Sequence, residues 1–132
     1  MNTAEQVIEQ LYRSFQRKDY AGMAACYHPD ATFSDPVFTL KNGKEVAAMW
    51  HYLCESGKDL QVEFSNVQAG AGVGSAHWDA RYSFSRTGRR VHNSIDAGFE
   101  FQDGLIIRHR DAEPVADVAD RVVLQLLGVV GN

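Results

Sequence analysis

The 132-residue chain lacks the features that mark disulfide-rich and nucleic-acid-binding proteins. Its two cysteines, Cys26 and Cys54, lie far apart and outside any C-x-x-C pair, so we expect two reduced, buried thiols. Its 13 lysines and arginines are scattered among 17 acidic residues without a basic run. Nucleic acid is therefore not an expected partner, since neutralising phosphates requires clustered positive charge.

Long apolar runs and cofactor motifs are also missing. The N-terminal stretch MNTAEQVIEQLYRSF is polar at its start and has no continuous apolar segment, so we expect a cytoplasmic protein without a membrane partner. No Ser-His-Asp order, glycine-rich phosphate loop or G-x-G-x-x-G is present, and no H-x-x-x-H spacing suggests a metal site. We therefore expect neither an organic cofactor nor a metal.

The composition and length are those of an ordinary globular domain. Apolar residues make up 45% of the chain and charged residues 23%, without the bias of disordered segments. A chain of this length suits one hydrophobic core and is short for two. We predict a single domain over residues 1–132.

The first half of the chain has helical signals. Thr3 followed three residues later by Gln6 fits a capping box, and apolar residues then recur at helical spacing. Asp19 can cap a second helix, and Asn42 or Gly43 can open a third. The predicted helices cover residues 3–18, the segment from Asp19 to Tyr27, and the segment from Asn42 or Gly43 to Gly57.

From Leu60 the apolar period changes to two, which predicts strands. Alternation across a strand should put Trp78, Ala80, Tyr82 and Phe84 on an inner face. The predicted strands begin near Leu60 and cover residues 75–86, 90–101 and 105–112, with a terminal helix or arm over 115–127. Helices followed by three or four long strands predict an α+β fold, a curved antiparallel sheet wrapped around the N-terminal helices.

Two stretches carry a family resemblance. LYRSFQRKDYAGMAACYHPDATFSDPVF and SAHWDARYSFSRTGRRVHNSIDAGFEFQDGLIIRHRD resemble the SnoaL-like branch of the nuclear transport factor 2 (NTF2-like) superfamily, over roughly residues 3–112. The resemblance implies a cone-shaped fold with a pocket, and a homodimer formed through the outer face of the sheet. That superfamily includes ketosteroid isomerase, polyketide cyclases, limonene epoxide hydrolase and binding domains, so the site must decide the function.

The resemblance gives Asp35 a role. In ketosteroid isomerase the base is an aspartate in an equivalent acidic-then-proline segment, which falls on Asp35, and a carboxylate there can move a proton next to a carbonyl. The isomerase's oxyanion tyrosine falls on Leu11, beside Tyr12, and its second acid falls on Ala97. Steroid isomerisation is therefore disfavoured. Asp35 before Pro36 could instead be a turn residue that bonds nearby backbone.

The comparison with the hydrolase points to the last strand. One of its catalytic aspartates falls on Asp111, and His109 shares that side chain's direction, continuing the face of Leu105 and Ile107. The alternative is a solvated strand end. The hydrolase's arginine and second aspartate fall on Trp78 and Ala80, whereas His77 and Asp79 have the right spacing but need a bulge to face inward.

The sequence thus predicts a small-molecule pocket protein. Asp35 would act as general acid or base, assisted by His109 and Asp111, in an isomerisation, cyclisation, hydration or epoxide hydrolysis on a small apolar organic ligand. A non-catalytic binding or interaction module is the alternative. The aromatic residues expected to line the pocket are Tyr12, Phe33, Trp78, Tyr82, Phe84 and Phe99. The residues expected at the dimer interface are His77, Asp79, Arg81, His92 and Asp96.

Overall fold

The computed structural model describes residues 3–36, 39–57, 59–83, 88 and 90–112. Phe84 and the predicted C-terminal segment 115–127 lie outside these residues. The described helices are α1 (Ala4–Gln16), α2 (Tyr20–Ala24) and α3 (Gly43–Ser56). The described strands are β1 (Tyr27–Ser34), β2 (Thr39–Leu40), β3 (Gln61–Gly70), β4 (Val73–Ser83), β5 (Arg90–Gln102) and β6 (Leu105–Ala112).

Helix α1 begins with the predicted capping box. The Thr3 hydroxyl oxygen accepts a hydrogen bond from the Gln6 backbone N–H at 3.2 Å, and the Gln6 side-chain oxygen accepts one from the Thr3 N–H at 2.8 Å. The helix ends at Gln16, two residues before the predicted end, because Lys18 adopts a left-handed backbone with φ of 57°. Its buried face consists of Val7, Ile8, Leu11, Tyr12, Ser14 and Phe15.

The other two helices start where the sequence predicted. The Asp19 carboxylate caps α2 by accepting from the Gly22 N–H at 3.0 Å, and the Asn42 side-chain oxygen caps α3 by accepting from the Glu45 N–H at 2.9 Å. The predicted end of α2 at Tyr27 is wrong, since Tyr27 is the first residue of β1. Among the described residues, no helix is long and apolar enough to cross a membrane.

The six strands form one sheet in the order β2-β1-β6-β5-β4-β3. The predicted α+β class and the curved sheet are confirmed. The sheet is mixed and not purely antiparallel, because β1 pairs with β6 in parallel while the other neighbours are antiparallel. Neither β1 nor β2, the two strands before α3, was predicted from the sequence.

The inner face of the sheet packs against the helices and forms the core. Helix α1 contacts β3 and β4, and α3 contacts β1. Trp78, Ala80 and Tyr82 of β4 are buried on this face, as the alternation predicted. Both predicted thiols are also free and buried, and burial raises the pKa of Cys26 to about 12, so it stays uncharged at neutral pH.

Strand β6 contains an irregularity that changes one predicted face. Phe101 pairs with Ile106 and Glu100 pairs with Arg108, so Ile107 is an extra residue in the ladder. As a result Ile106 is fully buried, whereas Ile107 is only half-buried. The predicted face of Leu105 and Ile107 is therefore wrong at its start, although both later members of that face, His109 and Asp111, are buried inside.

Candidate functional site

A chain of hydrogen-bonded polar side chains crosses the interior between α3 and the sheet. The indole N–H of Trp50 donates to the Tyr27 hydroxyl oxygen at 3.1 Å, and this hydroxyl lies 2.8 Å from Nδ1 of His109. Nε2 of His109 lies 2.8 Å from Oδ1 of Asp111, which also accepts from the indole N–H of Trp78 at 3.5 Å. The five residues form one buried network, the polar network.

One protonation form of His109 satisfies all of the donors and acceptors of the polar network. Because the Tyr27 hydroxyl already accepts from Trp50, its own proton is available to donate to Nδ1 of His109. The other ring nitrogen, Nε2, then carries the proton and donates to the Asp111 carboxylate. A neutral His109 with its proton on Nε2 therefore satisfies each of these bonds, and the carboxylate receives two donors.

Aromatic rings enclose His109. Its ring centroid lies 4.5 Å from that of Phe99, 4.9 Å from that of Phe33 in an edge contact, and 6.2 Å from that of Trp50. The side-chain exposure is 0% for His109 and 2% for Asp111. This burial argues against the alternative in which the two residues form a solvated strand end, since each polar atom must find its partner within the protein.

Tyr27 was missed by the sequence analysis, which put it at the end of a helix. Burial raises the pKa of its phenol well above the ordinary value of 10.0, the bond from Trp50 lowers it, and the charge of Asp111 adds a further rise. The phenol therefore keeps its proton and remains a donor to His109. Predicting a strand that begins at Tyr27 would have identified this residue, but β1 was not predicted from the sequence.

Asp35 lies at the end of β1, next to the polar network in the sheet register. The parallel pairs Phe33 with His109 and Ser34 with Arg110 are the last ones, and Asp35 and Asp111 each follow by one residue. Asp35 directly follows β1 and Asp111 is the next-to-last residue of β6, so the two acidic residues lie at the same end of neighbouring strands. Asp35 is half-buried, unlike Asp111. The fold thus brings all three predicted catalytic residues to one end of these strands.

The aromatic residues predicted to line a pocket form one packed cluster. The ring of Tyr12 stacks on Phe64 at 5.5 Å between centroids, and lies 5.9 Å from Trp78 and 6.4 Å from Phe99. Of the six predicted lining residues, five are described and each is no more than 3% exposed: Tyr12, Phe33, Trp78, Tyr82 and Phe99. The sixth, Phe84, lies outside the described residues. All five belong to the buried core, and Phe33 and Phe99 contact the ring of His109.

Two arrangements known from related enzymes do not assemble here. The pairing of β4 with β5 runs without a bulge from Val73 to Ser83, so His77 and Asp79 remain on the outer face. The hydrolase positions Trp78 and Ala80 are buried and carry no charge. The isomerase's oxyanion positions are likewise filled by buried apolar side chains, at Leu11 and Ala97.

The outer face of β4 and β5 has its own polar cluster. Nδ1 of His77 lies 2.8 Å from Asp96, while Asp79 accepts from Ser94 at 2.6 Å and lies 2.9 Å from His92. The bond to Asp96 raises the pKa of His77 above its ordinary value. Burial alone would raise the pKa of Asp79, but the bonds from Ser94 and His92 and the two histidine charges outweigh it and lower that pKa.

Neither this cluster nor the polar network offers a metal site. The described residues contain no group of three histidine, cysteine, aspartate or glutamate side chains that could hold a metal ion. A surface cleft of about 490 Å³ lies elsewhere, near the end of α1 and the start of β3. Its lining residues include none of the predicted site residues: Gln16, Lys18, Asp59, Leu60, Gln61, Val62 and Arg90.

Comparison with known families shows which family the chain belongs to. The family described as SnoaL-like domain matches residues 8–109, and the chain belongs to this family. Comparison with curated proteins found no match.

Solved structures share this fold at low sequence identity. An NTF2-like protein from Burkholderia thailandensis is 16% identical, with a TM-score of 0.79 over 92% of this chain and 98% of its own. An LEH-like epoxide hydrolase from M. tuberculosis is 19% identical, with a TM-score of 0.70 over 96% and 92%. TerC, co-crystallized with polyporic acid, is 14% identical, with a TM-score of 0.74 over 93% and 99%.

Proposed function

We propose that this protein holds a small apolar organic molecule inside the curved sheet and moves a proton on it. Asp35 is the general acid or base, and His109 with Asp111 assists. The observation that carries the proposal is the polar network: a buried histidine–carboxylate pair, enclosed by aromatic rings, in the strand next to the one that Asp35 follows. Apolar walls with a few convergent polar groups are typical of small-molecule sites.

The proton chemistry follows from what each group can do. A carboxylate at Asp35 takes a proton from a carbon next to a carbonyl and returns it to another carbon, so an isomerisation leaves the enzyme unchanged. In epoxide hydrolysis, one carboxylate takes a proton from water as the water oxygen bonds to an epoxide carbon, while an acid gives a proton to the epoxide oxygen as its carbon–oxygen bond breaks. In hydration of a double bond, the water oxygen bonds to one carbon and the acid's proton goes to the other. Exclusion of water from the aromatic interior strengthens each electrostatic interaction with the substrate.

His109 fits an assisting role better than a direct one. Both of its ring nitrogens are already engaged, by Tyr27 and by Asp111, so its contribution is to fix the orientation of the Asp111 carboxylate. This arrangement parallels the way a fixed partner orients a catalytic group in other acid–base sites.

The hydrogen bonds on both ring nitrogens of His109 also favour a second candidate, a binding or interaction module without catalysis. The oxyanion positions of the isomerase are apolar here, at Leu11 and Ala97, so a developing negative charge has no donor at these two places. In that case the polar network stabilises the core, and Asp35 anchors a hydrogen bond of the ligand.

Replacement of Asp35 separates the two candidates. A panel of carbonyl and epoxide compounds is assayed for turnover, and for binding through the fluorescence of the buried Trp50 and Trp78. Asp35→Asn should abolish turnover while leaving binding within about tenfold, because the amide keeps the shape and loses the proton transfer. Asp30→Asn, at an exposed carboxylate of β1, is the matched control and should match the wild type.

The outcomes are distinct. Turnover that persists in Asp35→Asn refutes the acid–base role. Saturable binding by the wild type, with no turnover of any panel member, favours the binding module. Binding of no panel member counts against the enzyme and against a ligand-binding module, since each requires a ligand inside the sheet, and leaves only the protein-interaction module.

We further propose a cytoplasmic homodimer that pairs through the outer face of the sheet. The residues at the interface would be His77, Asp79, Arg81, His92 and Asp96. Their support is the polar cluster on β4 and β5, which gives this face hydrogen-bonding groups for a second copy.

A further inference from the structure

A buried amide lies on the inner face of β5, away from the polar network. Asn93 pairs with Ala80 across the ladder and lies between Val91 and Ile95 on that face. Its exposure is 0%. Within the part of the chain that the structure describes, neither the side-chain oxygen nor the side-chain nitrogen of Asn93 has a hydrogen-bond partner.

An unpaired buried amide is costly to keep. Buried side-chain polar atoms nearly always have a partner, and an unpaired one loses its bonds to water without compensation. Leucine has nearly the same shape as asparagine and would remove that cost at an apolar position. An unpaired buried amide on the inner face is the kind of polar group that a ligand can supply with partners.

The pairing of β5 with β6 gives the distance along the sheet between the Asn93 amide and Asp111. Ala97, which pairs with Asp111, lies four residues beyond Asn93 on the same strand and face. At about 3.3 Å per residue, the two positions are about 13 Å apart along β5. The side chains between them on the inner face are apolar, at Ile95 and, on the neighbouring strand, Trp78.

We infer that Asn93 binds a hydroxyl group at the far end of an elongated apolar ligand, about 13 Å from the carboxylate of Asp111. The amide has one acceptor oxygen and a donor nitrogen, and a hydroxyl group can pair with both. Asn93 is then a specificity-determining residue that distinguishes a hydroxylated ligand from the plain hydrocarbon. This inference rests on the proposed function, because it requires that a ligand occupies the interior of the sheet.

The test compares two probes that differ in one group, 4-hydroxybiphenyl and biphenyl. Their Kd values are measured by tryptophan fluorescence for the wild type, Asn93→Leu and Ile95→Val. The wild type should prefer 4-hydroxybiphenyl by about tenfold, and Asn93→Leu should reduce the preference to about one. Ile95→Val is the matched control on the same face, since it weakens apolar contact with both probes and should preserve their ratio.

A second measurement needs no ligand. Asn93→Leu should unfold at the same temperature as the ligand-free wild type or higher, because an unpaired amide is replaced by an apolar group of similar shape. A clearly lower unfolding temperature would mean that Asn93 stabilises the fold through internal partners, and would overturn the inference.

The two proposals fail in different ways. Equal affinity of the wild type for both probes overturns the role of Asn93 and leaves the small-molecule site standing. Binding of neither probe, together with no binding of the carbonyl and epoxide panel, refutes the occupied interior, and the inference on Asn93 falls with it.

Discussion

His109 and Asp111 lie two residues apart on β6, with Nε2 of the imidazole 2.8 Å from Oδ1 of the carboxylate. Alternate residues of a strand share a face, so this spacing holds both side chains against the core. The carboxylate carries a charge into the protein interior, and its donors from His109 and Trp78 offset the loss of water. The stability of the fold should therefore depend strongly on this pair.

Replacing Asp111 tests that dependence. Asp111→Leu leaves the Nε2–H of His109 and the indole of Trp78 without their acceptor and should lower the free energy of unfolding by about 3 kcal/mol. Asp111→Asn keeps an acceptor oxygen and should cost about 1 kcal/mol. Urea unfolding followed by tryptophan fluorescence gives both values. Asp30→Leu, at an exposed position, is the control and should change little; an equal effect of Asp30→Leu and Asp111→Leu would contradict the pairing.

The hydroxyl of Tyr27 is the second point at which the polar network can be cut. Tyr27→Phe leaves the Trp50 indole and Nδ1 of His109 unpaired, so we expect a loss of about 2 kcal/mol in the free energy of unfolding. The half-exposed Tyr52 gives the matched control, and Tyr52→Phe should cost less than about 0.5 kcal/mol. The ¹⁵N resonance of His109 Nδ1 should also shift in Tyr27→Phe, and an unchanged resonance would show that the hydroxyl does not donate to it.

The sequence predicted best those features that depend on nearby residues. Thr3 with Gln6, and Asn42 with Glu45, are local caps, and both helix starts are confirmed. Strand β1 was not predicted, because most of its pairing is with β6, about 75 residues further along the chain, and only Phe33 and Ser34 pair locally, with β2. For the same reason Tyr27 was assigned to a helix.

In the candidate site too, features set by nearby residues could be predicted and features set by the alignment of strands could not. His109 and Asp111 could be found because a spacing of two on a strand gives a shared face. The prediction that Leu105 and Ile107 begin the same inner face was wrong. Ile107 is an extra residue in the ladder, and this depends on how β5 and β6 align. Asn93 could not be found at all, because an unpaired amide and a paired one look alike in the sequence until the neighbouring side chains are known.

The polar cluster on the outer face of β4 and β5 should make the stability of the protein depend on pH. The bond to Asp96 raises the pKa of His77 above 6.5, against the opposing effect of partial burial. A histidine with a higher pKa in the folded chain stabilises the fold fully below its unfolded pKa, and that contribution disappears as the pH rises through the folded value. We therefore expect part of the stability to be lost as the pH rises above about 6.5, and less of it to be lost in Asp96→Asn.

Chemical unfolding at a series of pH values from acid to mildly alkaline measures this dependence. Glu100→Gln is the control, because Glu100 forms an ion pair with Arg108, which is not a histidine. Identical pH slopes for the wild type and Asp96→Asn would show that the pair with His77 contributes nothing to folding. The imidazole resonances of His77 should titrate at a lower pH in Asp96→Asn than in the wild type.

The proposed homodimer gives a test of the outer face itself. Sedimentation velocity should show a species of twice the 14.7 kDa chain mass. Arg81→Glu reverses a charge at the proposed interface and puts it beside Glu63, so we expect dimer dissociation to become at least about tenfold easier. Arg17→Glu reverses the same charge on an exposed helix end and should leave the dimer intact. A monomeric wild type at working concentration, or equal weakening by Arg17→Glu, would show that copies do not pair through this face.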